Sequence, residues 1–147
     1  MKENIQYKLI NKLSGRDHFI DTTHVTQFLS THLEEYGDKP EDITRAVEYI
    51  FEKEGGFVLI QLLNEEIAGI VVVNETGMTG YIPENILVYI ALDKRYRGRG
   101  LGKALMQNAI KLCNGEIALH VEKDNPARFL YEKLGFTTPY LEMRLKQ

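Results

Sequence analysis

The chain has 147 residues, of which 44% are hydrophobic and 27% charged, as is typical of one globular domain, and its net charge of −3 argues against a protein that coats nucleic acid. The single cysteine, Cys113, excludes an internal disulfide, and the longest apolar run, Ile86–Leu92, is too short to cross a membrane. We therefore expect one cytoplasmic domain over residues 1–147, without a signal peptide and with no nucleic-acid or membrane partner.

Hydrophobic periodicity predicts one strand and two helices in the first third of the chain. Tyr7–Ile10 is a short strand candidate, and Asp21–Tyr36 has apolar residues three and four apart, as on one face of a helix. Gly37 follows where a C-cap glycine belongs, and Pro40 suits the first position of a second helix that ends at Gly55.

The middle of the chain predicts three strands. Phe57–Leu63 and Ile67–Val73 flank a short polar turn, so they form a hairpin of antiparallel strands. Glu84–Leu92 follows a polar loop and is the third of these strands.

Helices and strands alternate in the last third, with helices over Gly100–Cys113 and Pro126–Leu134 and a strand over Glu116–Val121. Phe136 and Tyr140–Leu145 are predicted as final strands. The strand–helix–strand crossover over residues 84–121 implies parallel neighbours, whereas the hairpin implies antiparallel ones. The fold class is therefore α/β or α+β, with a mixed, mostly antiparallel sheet that includes a central parallel strand pair.

The stretch DKRYRGRGLGK, residues 93–103, joins the end of a predicted strand to the start of a predicted helix. Its glycines permit a tight turn, and the first amides of the helix have no partners within it. Residues 94–103 carry five basic side chains and no acidic one. The helix dipole adds to that positive charge, so the sequence predicts a site for a phosphate or pyrophosphate.

Other readings of this stretch fit less well. A P-loop would need a glycine at Arg97 and a hydroxyl residue at Ala104, and the dinucleotide fingerprint would need a glycine at Lys103. A glycine-rich surface loop that binds nothing stays open as an alternative. An RNA-binding Arg-Gly segment is a weaker one, because a good helix follows the glycines at once.

Two motifs together resemble those of a known family. RGRGLG at residues 97–102 matches the pattern Arg/Gln-x-x-Gly-x-Gly/Ala, and DNPARFLYEKLGF at residues 124–136 is similar to a second motif about thirty residues further on. On these motifs and on the order of its elements, the chain resembles the GNAT superfamily of acyl-CoA N-acyltransferases over nearly its whole length.

The resemblance implies acetyl-CoA as co-substrate and transfer of its acetyl group to a primary amine by direct attack in a ternary complex. It also implies that the fourth and fifth strands splay apart and that the pantetheine arm lies between them. Asn125 would contact that arm, although many family members have this asparagine one position earlier, where Asp124 stands. The other residues implied to bind the cofactor are Ile90, Ala91 and Leu92 along the strand, and Arg97, Gly98, Arg99, Gly100, Leu101, Gly102 and Lys103 in the loop.

The reaction needs two proton transfers, one from the amine and one to the departing thiolate. An amine with a pKa of about 10.4 is mostly protonated at neutral pH, so a base assists its attack. The resemblance places Tyr131 beside the sulfur, where it could donate the second proton; the alternative is that Tyr131 only packs against its own helix. Glu84 is the first candidate for the base, His120 the second and Glu122 the third, and a water relay with no single essential base stays open.

The acceptor is a small-molecule or peptide amine that the sequence does not specify. An acidic cluster at the first helix–helix junction could attract a cationic amine or could be an ordinary solvated surface; its members are Glu34, Glu35, Asp38, Glu41 and Asp42. The histidines are not spaced for one ion, so we expect no metal. A non-catalytic CoA-binding regulatory module is the alternative function, because the fourth strand lacks a carboxylate in its middle. The apolar last strands predict a possible homodimer.

Overall fold

Five strands and four α-helices follow one another in the order β-α-α-β-β-β-α-β-α within residues 4–147, the part of the chain that the computed structural model describes. The strands are β1 (Ile5–Ile10), β2 (Gly56–Leu63), β3 (Glu66–Glu75), β4 (Asn85–Leu92) and β5 (Ile117–Leu119). The helices are α1 (Thr22–His32), α2 (Pro40–Glu52), α3 (Leu101–Leu112) and α4 (Ala127–Lys133). Short 3-10 turns occupy Glu34–Tyr36 and Lys94–Tyr96.

The five strands form one mixed sheet in the order β1-β2-β3-β4-β5. Every neighbouring pair is antiparallel except β4 and β5, which are parallel and joined by α3. Asn64 and Glu65 form the β2–β3 turn with φ values of 49° and 71°, as a two-residue hairpin turn requires. The predicted mixed, mostly antiparallel sheet with one parallel pair is thereby confirmed.

Strands β4 and β5 pair only where they begin. Their register joins Asn85 to Ile117 and Leu87 to Leu119, and β4 then continues to Leu92 without β5 beside it. The β3–β4 register joins Val72 to Tyr89 but Val73 to Leu87, so Val88 is an extra residue in β4 and forms a β-bulge. Past the bulge, the edge of β4 is open.

Both faces of the sheet are buried. The alternating residues Ile70 and Val72 of β3 pack with α1 and α2, whereas Val71 and Val73 pack with α3 and α4. Strands that are covered on both faces have continuous apolar sequences, which explains the hydrophobicity of β2 and β3. Within residues 4–147, no helix is both long and apolar enough to span a membrane.

The predicted final strands at Phe136 and Tyr140–Leu145 are wrong. Residues after Gly135 have no regular secondary structure, so β5 is the edge strand of the sheet within the described residues. A strand needs a partner, and β5 is itself only three residues long, shorter than the predicted Glu116–Val121. The apolar side chains of this tail are 83–93% exposed; they are Tyr140, Leu141, Met143 and Leu145.

The first predicted helix ends earlier than its periodicity suggested. Helix α1 stops at His32, and Glu34 then takes a φ of 56°, in the left-handed region that non-glycine residues rarely adopt. Residues 33–39, which we call the α1–α2 connection, therefore turn away from the helix axis before α2 begins at Pro40.

Candidate active site at the open end of strand β4

Residues 93–103, which we call the glycine loop, begin directly after β4 and are anchored to the sheet by polar contacts. The Asp93 amide donates to Ala68 O at 2.8 Å, and the Asp93 carboxylate accepts from the Arg95 amide and guanidinium at 2.9 and 3.0 Å. The Tyr96 hydroxyl donates to the Glu66 carboxylate at 2.6 Å. These contacts fix the first half of the loop against the β3 side of the sheet.

The second half of the glycine loop is main chain with open space around it. Gly98 and Gly100 both have a φ of 80°, and a Cβ at either position would meet no heavy atom of a residue beyond its immediate neighbours within 4 Å. A Cβ at Gly102 would lie 3.3 Å from Leu92 Cδ1, so this glycine lets α3 begin close to β4. Gly100 is the N-cap of α3 and has no side chain to cap it, so the first amides of the helix are available to a ligand.

The first turn of α3 is held in place from inside the sheet. Gln61 on β2 is fully buried, and its side-chain nitrogen donates to Leu101 O at 3.0 Å. Because the helix start is fixed in this way, its amides and its dipole have a defined direction toward the loop.

Arg97 is the first residue of the Arg/Gln-x-x-Gly-x-Gly/Ala pattern, and its side chain points away from the glycines. Its guanidinium donates to Glu34 Oε1 at 2.7 Å, to His32 O at 2.8 Å and to Leu92 O at 3.1 Å. The hydrogen bond from Arg97 holds the pKa of the Glu34 carboxyl below its usual range. Sequence reasoning counted this side chain with the anion-binding charge, whereas the structure uses it to join the loop to the α1–α2 connection.

The arrangement fits a cofactor that carries a pyrophosphate. Main-chain amides with room in front of them suit phosphate oxygens, and the open edge of β4 offers main-chain groups to an extended arm. Lys103 is exposed on the first turn of α3, and Arg99 lies 5.7 Å from the Tyr96 ring, so positive charge remains at the loop. Among the described residues, no three His, Cys, Asp or Glu side chains are grouped as a metal site would need.

Tyr131 lies on α4, on the sheet face covered by α3. Its side chain is 8% exposed and its ring meets the Phe136 ring at a centroid distance of 6.1 Å. Burial raises the pKa of Tyr131 to about 12, so the hydroxyl is protonated at neutral pH. The beginning of this helix is fixed by Asn125, whose Oδ1 accepts from the Ala127 amide at 2.9 Å.

The candidate bases from the sequence do not meet at the glycine loop. Glu84 precedes β4, at the end of the strand opposite the loop, and its carboxylate accepts from the Glu116 amide at 3.2 Å and from Thr79 Oγ1 at 3.0 Å. These hydrogen bonds, that from Glu116 first, lower the pKa of Glu84. His120 follows β5 and is exposed, as is Glu122.

A pair that sequence reasoning missed lies on the other face of β4. Tyr89, 8% exposed, donates its hydroxyl to Asp38 Oδ2 at 2.6 Å. Burial first, and then the hydrogen bond to Asp38, raises the pKa of Tyr89 well above its usual value, so this tyrosine remains a donor. The acidic cluster at the helix junction was the one signal in the sequence that included Asp38.

A cavity of about 430 Å³ lies elsewhere, between α1, α2 and the segment that follows β1. Two of its charged side chains pair with each other: the Arg16 guanidinium makes two bonds to the Glu48 carboxylate, at 2.6 and 2.7 Å, and lies over the Phe51 ring. None of the predicted site residues lines it.

Comparisons with known proteins identify the family and the fold. The curated N-alpha-acetyltransferase 30 of Schizosaccharomyces pombe is 31% identical over 85 residues, a match covering 54% of this chain and 57% of that protein. The chain thus matches a little over half the length of that relative.

Two solved structures share the fold. An aminoglycoside N-acetyltransferase in complex with coenzyme A is 15% identical, with a TM-score of 0.69 over 100% of this chain and 97% of that one. An acetyltransferase from Pyrococcus furiosus, described as putative, is 22% identical, with a TM-score of 0.65 over 97% and 100% of the two chains. The model of the acetyltransferase (GNAT) family matches residues 20–136, which is most of the sequence. The chain therefore belongs to the GNAT family of acetyltransferases.

Proposed function

We propose that this protein transfers the acetyl group of acetyl-CoA to a primary amine, which attacks the thioester directly while both substrates are bound. The observation that carries this proposal is the uncapped start of α3 at Gly100, which lies next to the open edge of β4. A main-chain anion site beside an unpaired strand suits a ligand with a pyrophosphate at one end and an extended arm at the other.

The cofactor would be held mainly by main-chain groups. The pantetheine arm would pair with the open edge of β4 at Ile90, Ala91 and Leu92. Asn125 would approach the arm with its side-chain nitrogen, because its Oδ1 already accepts a bond from α4. The pyrophosphate would be bound by amides of the loop residues Arg97, Gly98, Arg99, Gly100, Leu101, Gly102 and Lys103.

Tyr131 would protonate the departing thiolate. Its pKa of about 12 makes it a weaker acid than a free tyrosine. A thiol in the same apolar surroundings would be shifted in the same direction, because the loss of solvation disfavours its charged form as well. When burial raises the pKa values of both groups together, the free energy of proton transfer between them stays close to zero, which supports the acid role.

The acceptor would approach from the side of the α1–α2 connection, where carboxylates attract a cationic amine. The name of the curated relative makes the amino terminus of a polypeptide the first acceptor class to test. Small amines are the second class.

The test is release of CoA thiol from acetyl-CoA with a panel of amines: peptides with free amino termini, spermidine and an aminoglycoside. The matched control for each peptide is its N-acetylated form. We expect release that depends on one class of amine, with the acetylated product identified by mass spectrometry. Tight CoA binding without turnover on any amine would instead support a non-catalytic CoA-binding regulatory module.

We also propose that two copies of the chain associate through the tail and the outer edge of β5. The tail alternates apolar Leu141, Met143 and Leu145 with charged residues, as a strand with one apolar face does, and these apolar side chains are exposed. Light scattering at micromolar concentration should give a dimer. Leu141→Asp should shift it to the monomer, and a monomeric wild-type protein would refute this proposal.

A further inference from the structure

The β-bulge at Val88 changes which side chains of β4 reach the α1–α2 side of the sheet. Before the bulge, Leu87 packs with α3 and α4; Val88 and Tyr89 then both pack with α1 and α2. Without the extra residue, alternation would have placed one of these two neighbours on the opposite face. The bulge therefore brings Tyr89 to the acceptor side at the point where β4 has lost β5 as a partner.

Tyr89 in turn places a carboxylate where β4 has none. Residues 85–92 contain no acidic side chain, and the Tyr89 hydroxyl holds Asp38 Oδ2 at 2.6 Å. Asp38 is exposed, so this carboxylate is accessible to a ligand, whereas the tyrosine that orients it is buried.

The segment that carries Asp38 is tied to both cofactor motifs. Glu34 pairs with Arg97 of the glycine loop at 2.7 Å, and the Tyr36 hydroxyl donates to Asp124 O, in the second motif, at 3.3 Å. With Asp38 on β4, the α1–α2 connection has three polar anchors around the open end of the β4–β5 pair. The left-handed φ of Glu34 persists because these surroundings fix the segment.

The proposed acid, Tyr131, and the Tyr89–Asp38 pair lie on opposite faces of the sheet. Tyr131 belongs to the core cluster under α3 and α4, and Tyr89 belongs to the cluster under α1 and α2. In a direct attack, the amine nitrogen and the departing sulfur are bonded to the same carbon but lie on different sides of it. A base on one face and an acid on the other match that geometry.

We propose that Asp38, oriented by the Tyr89 hydroxyl, accepts the proton that the acceptor amine loses. The inference rests on the proposed acetyl transfer and assigns to it the base that the sequence did not reveal. Asp38 acts as a catalytic residue, and Tyr89 is a positioning residue that acts through it.

The proton balance closes with groups of this chain. The ammonium passes one proton to the Asp38 carboxylate, and the free amine forms a C–N bond to the thioester carbon. The C–S bond then breaks, the nitrogen loses a second proton to water as the amide forms, and the thiolate takes a proton from the Tyr131 hydroxyl. Water carries the proton held by Asp38 back to Tyr131, so of the two protons that the nitrogen loses, one replaces the proton given to the thiol and one is released per turnover.

The test is steady-state kinetics of Asp38→Asn with the panel amine that gives the highest wild-type turnover. We expect kcat to fall about 100-fold, as for loss of a positioned base, with a change of less than threefold in acetyl-CoA affinity by calorimetry. Glu52→Gln, which neutralises an exposed carboxylate at the far end of α2, is the matched control and should leave kcat within twofold.

Tyr89→Phe separates orientation from folding because it keeps the buried ring. We expect kcat to fall about tenfold with little change in the KM for the amine, and the double variant with Asp38→Asn to be no slower than Asp38→Asn alone. Additive losses in the double variant would contradict the positioning role.

The possible failures are distinguishable. A wild-type protein that acetylates no amine refutes the proposed function. A wild-type protein that acetylates an amine, with a folded Asp38→Asn variant whose kcat stays within threefold, refutes the assignment of Asp38 alone. A rise in KM with unchanged kcat would also refute it, because it would reduce Asp38 to attraction of the cation.

Discussion

The two faces of β4 near its open end are built in different ways. On the α3 and α4 face, the glycine loop presents main-chain amides, and its three glycines lie within five consecutive residues. On the α1 and α2 face, the contacts are side-chain bonds between positions 51, 63 and 88 residues apart, made by Asp38, Glu34 and Tyr36. The proposed cofactor side is therefore encoded locally, whereas the proposed acceptor side depends on pairs that only the fold brings together.

This difference has a functional consequence. A main-chain site depends on glycines and on a helix start, so it needs the same local pattern whatever amine is used. A site made of distant side-chain pairs can change through a single substitution. We expect variants of the first face to affect the cofactor and variants of the second to affect the acceptor.

The largest effect expected on the cofactor face is that of Tyr131→Phe. Removing the hydroxyl while keeping the ring should lower turnover about 100-fold, with KM and stability nearly unchanged. Tyr81→Phe, at a tyrosine 81% exposed, is the matched control. If Tyr131 only packs, the Phe variant will remain active within twofold and Tyr131→Ala will lose stability instead.

The next effect concerns cofactor binding. Gly100→Asp places a side chain and a negative charge in front of the α3 amides, so CoA affinity should fall at least tenfold, about 1.4 kcal/mol, by calorimetry. Gly80→Asp is a close control, because Gly80 has a φ of 79° and equally open surroundings. Equal affinities of the two variants would remove the glycine loop from the binding site.

A smaller effect should appear on the acceptor face. Glu34→Gln removes the charged partner of Arg97 but keeps the shape of the side chain. Because exposed ion pairs contribute little, we expect only about a threefold rise in the KM for the amine, with acetyl-CoA affinity within twofold. A larger loss of acetyl-CoA affinity than of amine affinity would show that this connection belongs to the cofactor side.

The smallest change expected is in the alkaline pH profile. Since burial raises the pKa of Tyr131 to about 12, the hydroxyl stays protonated well above the usual tyrosine value of about 10. Turnover should therefore show no Tyr131-dependent fall near pH ~10, while stability declines between the unfolded and folded pKa values. A fall centred near pH ~10 that Tyr131→Phe abolishes would contradict the burial of this group.

The sequence was informative where one segment carries the whole feature. Strands β2–β4, helix α3 and the glycine loop were predicted within a residue or two because their apolar runs and glycines are local. The tail around Leu141 was predicted as strand because it alternates, but a strand also needs a partner. We could not predict the direction of the Arg97 side chain or the pairing of Asp38 with Tyr89. Sequence periodicity predicts helices, strands and their buried faces, but not which distant side chains come into contact.

The most direct test of the account is hydrogen–deuterium exchange of the wild-type protein with and without CoA. The account predicts slower exchange at residues 97–104, from the second half of the glycine loop into the first turn of α3, and along the open edge of β4, residues 88–92. The segment after β1 that borders the 430 Å³ cavity, residues 11–21, should be unchanged. Protection at residues 11–21 with none at the glycine loop would place the cofactor in that cavity and contradict the central claim.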